Sequence, residues 1–275
     1  MILGISGKIG SGKDTVGAII RFLTQKEPSI SFKESMDIFE TTRMLSVEPG
    51  LESSWEIKKF AGKLKQIVAL LTGCSVSDLE DQEFKMKPLG KEWDWVHKYV
   101  NNVSTKGPVP QGMEDRAKNY TYREMLQKVG TEAMRDIIHE NVWVNALFAD
   151  YFRQNKWKTS SDITVRSTYH PEMDAGHEDI YPFPNWIITD MRFPNEMAAV
   201  KERNGITIRV DRYLTKKTFS EDGLVSMQGV MLDFNAHPSE TALDSAEFDY
   251  VIENDGTIEE LVEKVKEILI KENII

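Results

Sequence analysis

Cysteine is almost missing from this sequence: Cys74 is the only one in 275 residues. A single thiol excludes an internal disulfide and fits a reducing compartment. Long apolar runs are missing too. No window reaches the ~20 apolar residues of a membrane-spanning helix, and the apolar run in MILGISGK is too short for a secretory signal. These absences predict a soluble, cytoplasmic protein with no membrane partner. Positive charge is in deficit as well, with 34 Lys and Arg against 44 Asp and Glu and a formal net charge of −10. A protein that grips a nucleic-acid polymer through a general positive field needs the opposite balance. No nucleic-acid polymer is therefore expected as a partner, while a local basic pocket stays compatible with the composition. The five histidines show no metal-ligand spacing, and the chain has neither internal repeats nor low-complexity tracts.

What is present is a globular chain, 40% apolar, long enough for one α/β domain over residues 1–275 with sizeable insertions. MILGIS reads as a short buried strand. From Lys13 the period changes: Val16, Ile19, Ile20 and Leu23 recur at helical spacing. WEIKKFAG predicts a second strand, and KLKQIVALLTG a helix stopped by Gly73. Helices are also expected over TYREMLQKVGTEAMRDIIHE and NVWVNALFADYFRQN. NWIITDMRF, ITIRVDR and DYVIEND read as strands, PNEMAAVKERNG and TIEELVEKVKEIL as helices. Segments of about 83–120 and 158–184 read as lid-like insertions or hairpins. Strands alternating with helices predict an α/β architecture, a central parallel sheet covered on both faces.

The most informative stretch is GKIGSGKDTVG. Gly7, then four residues, then Gly12 and Lys13 lie between a predicted buried strand and a predicted helix. That arrangement aims backbone N–H groups and a helix N-terminus at one anion. Glycine is needed because the backbone must curl around phosphate oxygens with no Cβ in the way. The expected phosphate-binding set is Gly7, Gly10, Ser11, Gly12, Lys13, Asp14 and Thr15. Lys13 would bridge the terminal phosphates as a point charge. Asp14 replaces the usual hydroxyl residue after the lysine. A carboxylate in the first helical turn suits the dipole but not a phosphate, which leaves Thr15 to supply the hydroxyl near a metal.

Phosphoryl transfer also needs a metal near the β- and γ-phosphates and cations around the moving group. Asp190 stands at the C-terminal end of an apolar strand, the sheet edge where ligands gather. It is read as an orienter of Mg²⁺ or its water shell, as an acceptor of a substrate hydrogen bond, or as a strand-end cap. Arg192 offers either a bidentate phosphate clamp or a partner for Asp190 or Glu196. Glu196 itself, after Pro194, also suits a helix start. In the Tyr122–Ile138 helix, Tyr122, Leu126, Val129, Ala133 and Ile137 form the expected core stripe. Glu124, Lys128, Glu132 and Asp136 form the solvated face. Arg123, Gln127, Gly130, Thr131 and Met134 share a third strip, either a ligand cleft or an amphipathic border. Arg123 is the first choice for an acceptor phosphate. Trp143 is read as a base-stacking ring or as core. HPSETALD is read as a turn and a helix capped by Ser239, close to a nucleotide base.

The order GKDT resembles the GKGT of nucleoside monophosphate kinases. With FAGKLKQIVALLTG, REMLQKVGTEAMRD, VWVNAL, ITDMRFPNE and HPSETALD, the chain resembles the deoxynucleoside monophosphate kinases of bacteriophages over about two thirds of its length. The resemblance implies a P-loop kinase fold, three layers α/β/α, and transfer of the ATP γ-phosphate to a 2′-deoxynucleoside 5′-monophosphate with Mg²⁺ in the host cytoplasm. It makes Asp190 a site residue too; together with the loop reading, the expected catalytic residues are Lys13, Arg123, Asp190 and Arg192, with Thr15 and Asp190 at the metal. Arg123, Gln127, Gly130, Thr131, Trp143, Arg192 and Glu196 would bind the monophosphate. A homodimer is compatible with it. Two alternatives remain in view: a kinase of another small phosphate, since GKDT also resembles phosphomevalonate kinase, and a nucleotide-dependent switch or motor module.

Overall fold

The computed structural model describes residues 1–25, 54–100, 103–108, 119–158, 164–168, 182–212, 218–219, 225–226 and 241–275. In chain order these form β1 (Ile2–Ser6), α1 (Lys13–Leu23), β2 (Trp55–Lys58), α2 (Gly62–Thr72) and α3 (Gln82–Met86). A 3₁₀ turn (Lys91–Trp93), β3 (Trp95–Val100) and β4 (Val103–Pro108) follow. Next come α4 (Tyr122–Gln127), continued by a π-helical stretch (Lys128–Ile138), then α5 (Val142–Phe148), β5 (Gln154–Lys158) and β6 (Thr164–Thr168). The chain closes with β7 (Asn185–Ile188), α6 (Pro194–Lys201), β8 (Ile206–Asp211), β9 (Thr218–Phe219), β10 (Val225–Ser226), β11 (Tyr250–Glu253) and α7 (Ile258–Lys271).

Residues 1–60 and 147–275 form one compact unit, and residues 61–146 a second. The first unit is built on a five-stranded sheet in the order β11-β8-β1-β7-β2. Every pairing in it is parallel, as the alternation of strands and helices predicts. Side chains alternate between the two faces. Leu3 and Ile5 of β1 join Ile187, Ile208 and Ile252 in a core with Val16, Ile19 and Ile20 of α1 and Leu261, Val265 and Leu269 of α7. Gly4, between them, faces the other way, where a Cβ would lie 3.2 Å from Val200 of α6. The sheet thus has helices on both faces, the three-layer α/β/α arrangement. On the α6 face Trp186 carries Phe148 stacked at 6.1 Å and Tyr151 edge-on at 4.7 Å. Phe148, the last residue of α5, and Tyr151 just beyond it belong to this cluster, and NVWVNALFADYFRQN is helical only to Phe148 and re-enters a strand at Gln154.

In the second unit, Val68, Leu79, Leu89 and Met125 make a small core to which Leu64, Tyr122, Leu126 and Val129 contribute. Gly73 ends α2 in the left-handed region (φ 75°), as expected of a glycine stop. The long helix starts at a Thr121/Glu124 capping box. Glu124 therefore turns back on its own N-terminus rather than out with the solvated face. Beyond Gln127 the winding widens to i→i+5 bonding, seen where the His139 N–H donates to the Met134 carbonyl at 3.0 Å. The wider turn shifts the phase of every later side chain. Ala133 and Ile137, expected in the core stripe, are consequently exposed, Ile137 to 80%. β3 pairs with β4 as an antiparallel hairpin within the first insertion, while β5, which lies ahead of the expected second insertion, pairs with β6 inside it. No helix among the described residues is long and apolar enough to cross a membrane. Ser239, His170 and His177 lie outside the described residues.

Candidate active site

In the first unit the candidate residues gather where the strands end. The loop after β1 runs through Gly10 (φ 78°) and Gly12 (φ 97°), both left-handed. At Gly7 a Cβ would collide with the Ser11 side chain and the Val210 carbonyl. These three positions demand glycine for conformation or space, which is the condition for a backbone wrapped around an anion. Ser11 is buried, and its hydroxyl has no hydrogen-bond partner. An orphaned buried hydroxyl is costly unless a ligand completes it, so the loop's donor chemistry fits a phosphate. Lys13 is 9% exposed and its Nζ donates to the Lys8 carbonyl at 3.2 Å. Its ammonium lies folded over the loop it belongs to.

Asp14 faces the neighbouring strand ends rather than the loop. Its carboxylate accepts from the Thr189 hydroxyl at 2.9 Å and pairs with Lys59 at 3.4 Å. Burial opposes its charge, but the Lys59 ammonium, the Thr189 hydroxyl and Lys13 outweigh it and hold the carboxyl below its usual range. Thr15, one residue on, is half-buried. Asp190 follows Thr189 at the end of β7 and is 8% exposed. One of its oxygens accepts from the Phe60 N–H at 2.7 Å, fastening the loop after β2 to β7. Among the described residues no three His, Cys, Asp or Glu side chains are grouped as a metal cage. Mg²⁺ at a phosphate site uses one or two carboxylates, with phosphates and water completing the octahedron. Asp190, a buried carboxylate just past the end of β7, is of the type such an ion uses.

Glu196 is 2% exposed and accepts from the Arg192 N–H at 2.7 Å and the Phe193 N–H at 3.2 Å. It closes the start of α6 and fixes the backbone that carries Arg192. These contacts express the helix-start reading of Glu196.

Two further side chains at this edge escaped the sequence reading. Asn254, just beyond β11, donates from Nδ2 to the Ser11 carbonyl at 2.8 Å. Asp244 pairs with Lys8 of the loop at 3.3 Å and accepts from Arg209 at 3.0 Å, while Arg209 also reaches Asp211 at 2.9 Å. Asp244 belongs to HPSETALD, so the end of that segment borders the phosphate loop. Asn254 had one visible signal, its place at the C-terminal end of a predicted strand.

The second unit holds Arg123, Gln127, Gly130, Thr131 and Trp143. Arg123 donates from Nη2 to Gln82 at 2.8 Å, while its Nε is buried without a hydrogen-bond partner. Gln127 is exposed and Thr131 half-buried. Gly130 is buried, and a Cβ there would lie 2.8 Å from Leu64, so close packing against α2 accounts for the glycine. Trp143 is 4% exposed and its indole N–H donates to the Gly130 carbonyl at 2.8 Å. The ring has almost no open face for a base, and it acts here as a support for Gly130.

No protein-family model matches the chain. Among curated proteins it is similar to a putative deoxynucleotide monophosphate kinase of Acanthamoeba polyphaga mimivirus, 29% identical over 160 residues. That match covers 55% of this chain and 63%, just under two thirds, of the mimivirus protein. It is also similar to the deoxynucleoside-5'-monophosphate kinase of Escherichia phage T5, 25% identical over 218 residues, or 74% of this chain and 73% of the phage protein. The similarity shared with two viral proteins named as deoxynucleotide kinases agrees with the bacteriophage-kinase resemblance carried by the motifs and with the parallel α/β/α fold that displays them.

Proposed function

We propose that the protein is a deoxynucleoside monophosphate kinase that transfers the γ-phosphate of ATP to a 2′-deoxynucleoside 5′-monophosphate. The observation that carries this reading is the loop from Gly7 to Thr15: two left-handed glycines, a third with no room for a Cβ, an orphaned Ser11 hydroxyl and a buried lysine. The similarity to the two viral kinases supplies the acceptor.

In this reading the loop N–H groups and Ser11 hold the ATP phosphates. Lys13 leaves the Lys8 carbonyl to meet the β- and γ-oxygens, exchanging a neutral acceptor for a charged one. Mg²⁺ would be held near Thr15 and Asp190 and would neutralise charge on the transferring group. Arg192, carried on the backbone that Glu196 fixes, faces developing charge as a fork of donors. Asp14, tied to Lys59 and Thr189, keeps the first turn of α1 seated on the β2 and β7 ends. Arg123 receives the acceptor phosphate, and Gln127 and Thr131 complete that surface. Alignment and electrostatics do the catalysis, since a phosphate acceptor is already a nucleophile. The enzyme would be cytoplasmic, with these two small molecules as its partners, and a homodimer is compatible with the reading.

The deciding experiment incubates the purified protein with ATP, Mg²⁺ and a mixture of nucleoside and deoxynucleoside monophosphates, with mass-spectrometric identification of products. Deoxynucleoside diphosphates and ADP in equal amounts are expected. ADP release without a phosphorylated nucleotide would refute the assignment.

A further inference from the structure

Gly10 and Gly12 make the phosphate loop easy to bend, and bendability works against a site that must present its N–H groups in one pattern. Fixing a residue's backbone costs conformational entropy, and glycine loses the most. Something outside the loop has to hold it. The Ser11 carbonyl is the point at which the structure supplies that hold. It accepts from Asn254 Nδ2 at 2.8 Å, and the Gly12 Cα sits so close to the same amide that a Cβ would strike it. Across a trans peptide the carbonyl and the following N–H point in opposite directions. Holding the Ser11 oxygen toward Asn254 therefore turns the Gly12 N–H away from Asn254.

Asn254 is itself anchored. Its backbone N–H donates to the Asp211 carbonyl at 2.7 Å, continuing the β8–β11 pairing one residue past the strand. Lys264 of α7 donates to the Glu253 carbonyl at 2.6 Å, bracing the residue before it. The loop is held a second time at Lys8, through Asp244 and Arg209 to β8. A side chain anchored to the sheet thus grips the carbonyl that lies between Gly10 and Gly12, just ahead of the loop lysine.

We propose that Asn254 is a positioning residue for ATP: it keeps the Ser11–Gly12 peptide oriented for phosphate before the nucleotide arrives. The inference rests on the reading of residues 7–15 as the ATP phosphate site.

Its test is ATP titration by calorimetry without acceptor, paired with steady-state kinetics, on the wild type, Asn254→Ala and the near-isosteric Asn254→Asp. Loss of one preorganising hydrogen bond should weaken ATP binding about tenfold in Asn254→Ala. Asn254→Asp should lose more, because a carboxylate cannot donate to a carbonyl. The KM for the monophosphate and kcat at saturating ATP should stay within about threefold, a split that general damage to the fold would not produce. Wild-type ATP affinity in either variant overturns the proposal, as does an equal loss for both substrates. Should Asn254→Ala fail to fold, Asn254→Asp still decides by the same criteria. Absence of ATP binding in the wild type would sink the phosphate-loop reading and this inference with it. ATP binding without a phosphorylated nucleotide product would sink only the acceptor assignment.

Discussion

Lys13 and Asp14 are sequence neighbours with opposite tasks. The lysine folds over its own loop onto the Lys8 carbonyl, while the aspartate reaches out to Lys59 and Thr189. Lys13→Ala removes the ammonium that the proposed function sets against the moving phosphate. Turnover is expected to fall by roughly 10²–10³-fold or more, with an unchanged circular-dichroism spectrum; activity near the wild-type level would refute the role. Asp14 makes a different prediction, about pH. Its carboxyl is held below the usual range in the folded protein, so its contribution to stability is complete above the ordinary carboxylate pKa. That contribution disappears as pH falls through the lowered folded value. Denaturant midpoints of the wild type and Asp14→Asn should therefore differ near neutral pH and converge in acid. A gap that persists when the carboxyl is protonated would assign the effect to something other than its charge.

At the scale of the element, α1 is both a wall of the core and the base of the site. Val16, Ile19 and Ile20 are fully buried against the sheet. Gly17 lets the helix approach β7 so closely that a Cβ would lie 2.5 Å from Thr189 Cγ2. Thr189 is the residue whose hydroxyl serves Asp14 and whose neighbour is Asp190. Gly17→Ala gains helix propensity, worth about 1 kcal/mol, but overpacks a fully buried contact at about 1–3 kcal/mol. The net expectation is destabilisation with weakened activity, read from urea midpoints and kcat; a more stable, fully active variant would contradict it. The long helix of the second unit teaches the converse. Its stripe of apolar residues is legible as far as Val129, but the period changes after Gln127. A fixed 3.6-residue repeat then places Ala133 and Ile137 on the wrong side.

At the scale of the molecule, the proposed roles divide between two compact units. The phosphate loop, Asp190 and Arg192 belong to the unit built on the parallel sheet, and Arg123 to the unit of residues 61–146. The two substrates should accordingly be separable by mutation. Arg123→Ala is expected to raise the KM for the monophosphate at least tenfold, in line with the loss of a charged hydrogen-bonding pair, while the KM for ATP changes little. An effect confined to ATP would remove Arg123 from its assigned place. The net charge of −10 leaves no general positive field, so in the proposed reading the substrates meet a few local cations, Lys13, Arg123 and Arg192.

By itself the sequence determined the alternation of strands and helices, hence a parallel sheet, and the loop that glycine and lysine spacing marks. Those are local properties, set by periodicity and by what a backbone without Cβ can do. Only the tertiary structure decided which side chain serves which. Glu196 turned out to close α6, Trp143 to support Gly130, and Asn254 to grip Ser11. The last of these pairs spans more than two hundred residues of chain. Such contacts depend on strand order and on the direction in which each strand end delivers its side chain, neither of which leaves a local trace.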